Sequence, residues 1–110
     1  MNVLKKDGLV EISDNQFDLV LFIMKITHEY KSFEKNNILV DISNFKNITT
    51  KDLNGFLPLI KQHSKNKQSF VIVAFNIDFN KVSDKINVVP TLQEAYDIIE
   101  MEEIERDLGF

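Results

Sequence analysis

The segment Ser69–Phe75 constrains this chain more than any other. It reads Ser-Phe-Val-Ile-Val-Ala-Phe, six apolar residues in succession with β-branched side chains at the centre. Successive side chains of a strand point to opposite faces, so a half-exposed strand alternates apolar and polar residues. A strand that is apolar throughout must be covered on both faces, as an interior strand of a parallel sheet is. The run does not suit a membrane. A helical span needs about 20 apolar residues, and the longest apolar runs here, Leu19–Met24 and Phe70–Phe75, have six.

The remaining elements follow from turn and periodicity signals. Asn2–Lys6 and Leu9–Ser13 read as two short strands joined by Asp7-Gly8. A type I′ hairpin turn needs positive φ at both central residues, and Asp-Gly supplies them. Val10 and Ile12 alternate with Glu11 and Ser13, giving one buried and one wet face. A helix is expected from about Asn15 to Tyr30, capped by Asp14 or Asn15. Asn36-Asn37 breaks that pattern, and Ile38–Ser43 reads as a strand followed by a polar loop, Asn44–Thr50. Thr49 or Thr50 is expected to cap a second helix running to about Lys65. Its stripe is Leu53, Phe56, Leu57 and Ile60. Pro58 lies inside it and predicts a kink or a late start.

Asn76–Lys85 is expected to be a loop with one helical turn near Asn80–Ser83. Ile86–Val89 is a short strand ended by Pro90. Thr91-Leu92-Gln93-Glu94 is a capping box that opens a last helix reaching about Leu108. The order is β-β-α-β-α-β-(turn)-β-α. Strands separated by helices imply parallel pairing, with helices covering the sheet. The fold class is therefore α/β.

At 110 residues the chain is one domain. It has no cysteine, which excludes disulfides, thiolate nucleophiles and Cys-ligated zinc or iron–sulfur centres. The first 16 residues show no apolar core of a secretory signal, so the sequence reading is cytoplasmic. Charge is unevenly placed. Residues 1–90 carry 12 lysines and 10 carboxylates, whereas residues 91–110 carry one arginine and seven carboxylates. The acidic end would repel a phosphate backbone, and no compact basic stripe offsets it, so direct nucleic-acid binding is not expected.

The order and spacing resemble the STAS domain of sulphate transporters and anti-sigma-factor antagonists. Three local features over about residues 1–100 carry the resemblance. Ile38–Ser43 with Asn44-Phe45 is similar to the family's strand ending in Asp-Leu-Ser. Ile48-Thr49-Thr50-Lys51-Asp52-Leu53 stands where the family has an apolar residue and Asp-Ser-Ser-Gly-Leu. Val89-Pro90-Thr91-Leu92-Gln93-Glu94-Ala95 resembles the last strand-to-helix junction. The resemblance implies a STAS-like α/β fold and a regulatory binding role.

In anti-sigma-factor antagonists the second serine of the Asp-Ser-Ser-Gly motif is phosphorylated. That slot is Lys51 here, while Thr50 and Thr49 take the first serine and the aspartate. The usual serine switch is thus absent. Thr50 is the hydroxyl left to accept a phosphate, which a helix N-terminus would stabilise. Short chains of this kind also resemble proteins named ribonuclease Z, an enzyme family that needs a His-x-His-x-Asp-His zinc motif absent from this sequence. Such a link implies an accessory partner of an RNA-processing enzyme rather than a nuclease.

No catalytic constellation is visible in the residues themselves. His28 and His63 are far apart, match no metal motif, and read as surface or helix-end histidines. Gly8, Gly55 and Gly109 cannot form a phosphate-cradling loop. Asp41 ends a parallel strand, where α/β sheets often place function, but it lacks a partner acid or base and reads as a cap on its own loop. No enzyme activity, cofactor or metal is expected.

Two helices carry more apolar surface than one sheet face needs. In the first, Leu19, Phe22, Ile23, Ile26, Tyr30 and Phe33 form one face, and Phe17, Val20, Leu21 and Met24 another. In the last, Leu92, Ala95, Tyr96 and Ile99 form a stripe, while Met101, Ile104 and Leu108 point half a turn away. Either that helix bends near Glu100–Glu102 and folds back, or the second stripe is exposed. Phe110 adds a further apolar group. The expected function is a protein–protein interaction module binding through Ser43, Asn44, Asn47, Thr49, Thr50 and Lys51 and through Met101, Ile104, Leu108 and Phe110. Its partner is another regulatory or RNA-processing protein, or a second copy. A small-ligand or lipid-binding domain is the remaining reading, favoured by any cavity under the first helix at Phe22 and Ile26.

Overall fold

The computed structural model describes residues 1–15 and 18–109. Five strands form one sheet in the order β1 (Asn2–Lys6), β2 (Leu9–Ser13), β3 (Asn37–Asp41), β4 (Phe70–Val73) and β5 (Asn87–Val89). β1 and β2 are antiparallel, and every other neighbouring pair is parallel. Asp7 and Gly8 both have positive φ, 52° and 81°, as the hairpin turn demands. Helix α1 (Leu19–His28) links β2 to β3, α2 (Leu57–Ser64) links β3 to β4, and α3 (Leu92–Asp107) follows β5.

The sheet is a middle layer, as the Ser69–Phe75 run requires. The register aligns Val10 with Ile38 and Ile38 with Phe70, and likewise Ile12 with Val40 and Val40 with Ile72. These residues share one core with Phe22 and Ile26 of α1 and with Leu53, Phe56 and Leu59. The opposite face carries Leu39, Val71 and Val73, packed against Ala95 and Ile99 of α3. Phe22 stacks on Phe45 with ring centroids 5.4 Å apart, and Phe22 and Ile26 are fully buried among core side chains. The space under α1 is filled there, which withdraws the motive for a ligand at those residues.

Three expectations about helix ends are corrected. First, α1 begins at Leu19, capped by the Asp18 carboxylate, which accepts from the Leu21 N–H at 3.2 Å. Asp14 is instead buried, accepts from the Asn15 N–H and faces the Lys25 ammonium at 3.7 Å. Phe17, assigned to the outer face of this helix, lies outside the described residues. Of the rest of that face, Val20, Leu21 and Met24 are exposed.

Second, the segment after the polar loop opens as a 3₁₀ turn, Asp52–Phe56, and becomes α-helical only at Leu57. Pro58 stands in the first helical turn, where no N–H is needed. A 3₁₀ turn has three residues per turn, so its buried positions recur at i+3. The stripe therefore runs Leu53, Phe56, Leu59 and then His63, with Leu57 and Ile60 only half-buried. Gly55 fits the crowding at this turn, since a Cβ there would stand 2.9 Å from Ile23 Cδ1.

Third, His63 stands in the last turn of α2, at a helix end as expected, but it is not at the surface; it is fully buried. Its Nε2–H donates to the Asn36 carbonyl at 2.8 Å, so Nδ1 is left to accept from the Tyr30 hydroxyl at 2.6 Å. Asn66 Nδ2 in turn donates to the Tyr30 oxygen at 3.0 Å. The expected helical turn after β4 is present as a 3₁₀ turn at Phe79–Lys81, capped by Asp78.

Candidate functional site

The first expected surface lies beyond the C-terminal end of β3. Asp41 accepts from both the Ser43 N–H at 2.9 Å and the Ser43 hydroxyl at 2.6 Å, so its carboxylate closes its own loop. Asn47 takes a left-handed conformation, with φ of 61°. Asn side chains tolerate that region better than most. Ser43, Asn44 and Asn47 then line a cleft of about 590 Å³ with Ile42, Phe45 and Ile48, closed on the β4 side by Phe75 and Asn76. Phe75 is 58% exposed at its rim. This corrects the expectation of a strand buried on both faces over Ser69–Phe75, because β4 ends at Val73 and Phe75 turns out to the surface beyond it.

Thr49 and Asp52 cap each other. The Asp52 carboxylate accepts from the Thr49 N–H at 2.9 Å, and the Thr49 hydroxyl accepts from the Asp52 N–H at 3.2 Å. Thr49 rather than Thr50 is thus the capping residue. Thr50 is half-buried in the turn, and Lys51 is exposed beside it. The helix N-terminus expected at Thr50 is displaced, because α2 starts at Leu57 and only the short 3₁₀ turn follows Thr50 directly.

The second expected surface is α3. The Thr91 hydroxyl accepts from the Glu94 N–H at 3.2 Å, and the helix runs unbroken to Asp107. It does not fold back near Glu100–Glu102. Its inner face, Ala95 and Ile99, packs on the sheet. Leu92, expected on that face, is 36% exposed at the helix start. Met101, Ile104 and Leu108 are 59%, 53% and 66% exposed. Glu94, Asp97, Glu100, Glu103, Glu105 and Asp107 are exposed as well. Phe110 lies outside the described residues.

Polar anchors fix which way this helix turns. The buried Asn37 at the start of β3 donates through Nδ2 to Glu103, and its Oδ1 accepts from the Ser69 N–H and from Arg106 Nη2 at 3.1 Å. Arg106 Nη1 donates to the Ser69 hydroxyl at 3.1 Å. Nearer the helix start, the Tyr96 hydroxyl donates to Glu11 on β2 at 2.7 Å. That bond, with desolvation and the Glu11 and Asp41 charges, pushes the Tyr96 pKa up to about 12. Arg106 is the sole cation of residues 91–110, and it is turned inward.

No protein-family model matches the sequence, and no curated protein matches it. The site must therefore be read from its own geometry. The two expected surfaces do not meet. Ser43–Lys51 follows the C-terminal end of β3, whereas Glu103 and Arg106 tie the far half of α3 to Asn37 at its N-terminal end. Among the described residues, no group of three His, Cys, Asp or Glu side chains is placed to hold a metal ion, and no helix is long and apolar enough to cross a membrane.

Proposed function

We propose that this chain is a non-catalytic protein-interaction module, of the regulatory kind that the STAS resemblance implies. One observation carries the reading. The outer face of α3 presents Met101, Ile104 and Leu108 to solvent beside the exposed carboxylates of Glu100, Glu105 and Asp107. Scattered exposed apolar residues are ordinary, but a stripe rimmed by charge is the form of a helix that seats in a partner's groove. Each large side chain buried there contributes about 1.5–3 kcal/mol before ordering costs. The complementary surface is an apolar groove rimmed by lysine or arginine.

The Ser43–Lys51 loop, with its exposed Phe75 neighbour, is the second contact region. Lys51 stands in the slot of the family's phosphoserine, and the Thr49 hydroxyl is already engaged with the Asp52 N–H. The module therefore works without the usual serine switch.

The test compares the tagged protein with its Ile104→Glu, Leu108→Glu double variant. Both are used as bait in native cytosol at low salt, and what co-purifies is identified by mass spectrometry. A regulator, kinase, RNA-processing enzyme or second copy that is held by the first bait and lost from the second supports the reading. An identical set of associations with a well-folded variant refutes it.

A further inference from the structure

We infer that the stripe of α3 docks on a second copy of this chain, in a basic groove beside α2, so that the protein self-associates through reciprocal contacts. The inference rests on the interaction reading above and names the occupant. The groove has an apolar part of about 500 Å³, lined by Leu57, Ile60, Lys61, Ser64 and Lys85. Past Ile60, Ser64 and Lys85 it continues into a part of about 620 Å³ that adds Lys67, Glu102 and Arg106.

Charge decides the occupant. Between Asp52 and Asp78 the chain has no carboxylate and carries Lys61, Lys65 and Lys67. Among the described residues, the Lys61, Lys67 and Lys85 ammonium groups have no carboxylate partner. The opposing charges are Glu102 and the C-terminal ends of α2 and α3, each worth about half a negative charge. Against these, Lys61, Lys67, Lys85 and Arg106 leave the groove positive. The chain thus carries one acidic ridge with an apolar crest and one basic groove with an apolar floor.

The two features also adjoin. Glu102 and Arg106 line the groove, and in the same helix they alternate with Met101, Ile104 and Leu108 of the ridge. Two copies related by a twofold axis can therefore seat each ridge in the other's groove at once. That makes a closed pair rather than an open chain.

The experiment is a charge exchange read by sedimentation velocity at low salt. One variant carries Glu100→Lys and Glu105→Lys on the ridge. The other carries Lys61→Glu and Lys85→Glu in the groove. All four positions are exposed and none of the side chains makes a described hydrogen bond, so the fold should survive. Alone, each variant sets like charges against each other in both contacts, and dimerisation should weaken at least about tenfold. Mixed in equal amounts, the variants become complementary in both contacts, and the dimer should return. A variant that merely misfolds cannot be rescued in this way. The inference is overturned by a wild-type chain that stays monomeric, by variants that dimerise like the wild type, or by a mixture that does not recover. A monomeric wild type removes the second copy as occupant, while the co-purification of a different protein through the stripe would still uphold the interaction reading.

Discussion

The Tyr30 hydroxyl donates to His63 Nδ1 across 2.6 Å of the core, joining the turn after α1 to the last turn of α2. The bond works only with a neutral imidazole, since Nε2–H is committed to the Asn36 carbonyl. Burial lowers the His63 pKa, and hydrogen bonds to the Asn36 and Ser69 backbone only partly oppose this. The unfolded chain takes up a proton near the ordinary value of 6.5, and the folded chain takes it up only at lower pH. The contribution of His63 to stability is therefore fully present above 6.5 and is lost as pH falls through the folded value. Urea midpoints measured down a pH series should fall below that point. In His63→Phe the fall should be shallower, although the variant starts from a lower plateau. An equal acid slope in both proteins would contradict the assignment.

Asn37 is the pin for the far half of α3. Replacing it with Ala leaves the Ser69 N–H without its acceptor, releases Glu103 and removes one of the two bonds of Arg106, which keeps only the Ser69 hydroxyl. Leaving a buried donor unsatisfied costs about 1–3 kcal/mol, so Asn37→Ala should lower stability by an amount in that range. Amide exchange should also quicken over residues 100–107, while Ala95 and Ile99 remain protected by packing. Uniform destabilisation without local exchange would show that the network does not hold the helix end.

Much of the fold was legible because local and global signals agree. Asp7-Gly8, the continuous run at Phe70–Val73, and Thr91 with Glu94 each specify one structure on short-range grounds. His63 was not legible, because a lone histidine among Lys and Gln residues reads as a surface group. Only the 3₁₀ turn, by stepping the stripe through Leu53, Phe56 and Leu59, rotates it inward. A spacing of three, three and four from Leu53 to His63 was the available signal. On α3 both the stripe that packs on the sheet, through Ala95 and Ile99, and the one that points away were readable from the sequence; the bonds from Asn37 and Glu11 that pin the helix there were not, because no local pattern encodes a long-range partner.

Both tyrosines should resist ionisation while the fold persists. Desolvation is the main cause that raises the Tyr30 pKa, and the bond to Glu11 is the main one that raises Tyr96, to about 12. For Tyr96 the sign is that of a group raised on folding. Its contribution is complete below the unfolded value of 10.0 and is lost as pH rises toward about 12. Tyrosinate absorbance followed against pH should therefore lag behind that of the urea-unfolded chain. Tyr96→Phe should remove part of the lag and of the alkaline loss of stability. Native and unfolded titrations that coincide would refute the prediction.

The reciprocal cap at Thr49 and Asp52 fixes where the candidate loop ends. Thr49→Ala removes the acceptor of the Asp52 N–H, a loss that typically costs about 1 kcal/mol. Thr50→Ala, with no capping role, should cost less than half as much, within the ordinary range of surface changes of about 0.5 kcal/mol. Denaturant midpoints of the two variants, compared side by side, separate the residues. Equal losses would mean that the cap is not the feature that orders the loop.

The two faces of α3 offer the sharpest contrast in one element. Ile99 is 5% exposed and packs with Leu39, Val71 and Val73, whereas Ile104, five residues on, is 53% exposed. Truncating a buried isoleucine to alanine removes its transfer free energy and leaves a cavity, about 2–5 kcal/mol together. Truncating an exposed one in a helix exchanges a moderate helix former for the best one, so the change stays within about 0.5 kcal/mol. Ile99→Ala should therefore lower the urea midpoint of the isolated chain markedly, and Ile104→Ala should leave it nearly unchanged at protein concentrations too low for self-association. A large loss from Ile104→Ala under those conditions would mean that the outer stripe is part of the domain's own core, and that no surface there is reserved for a partner.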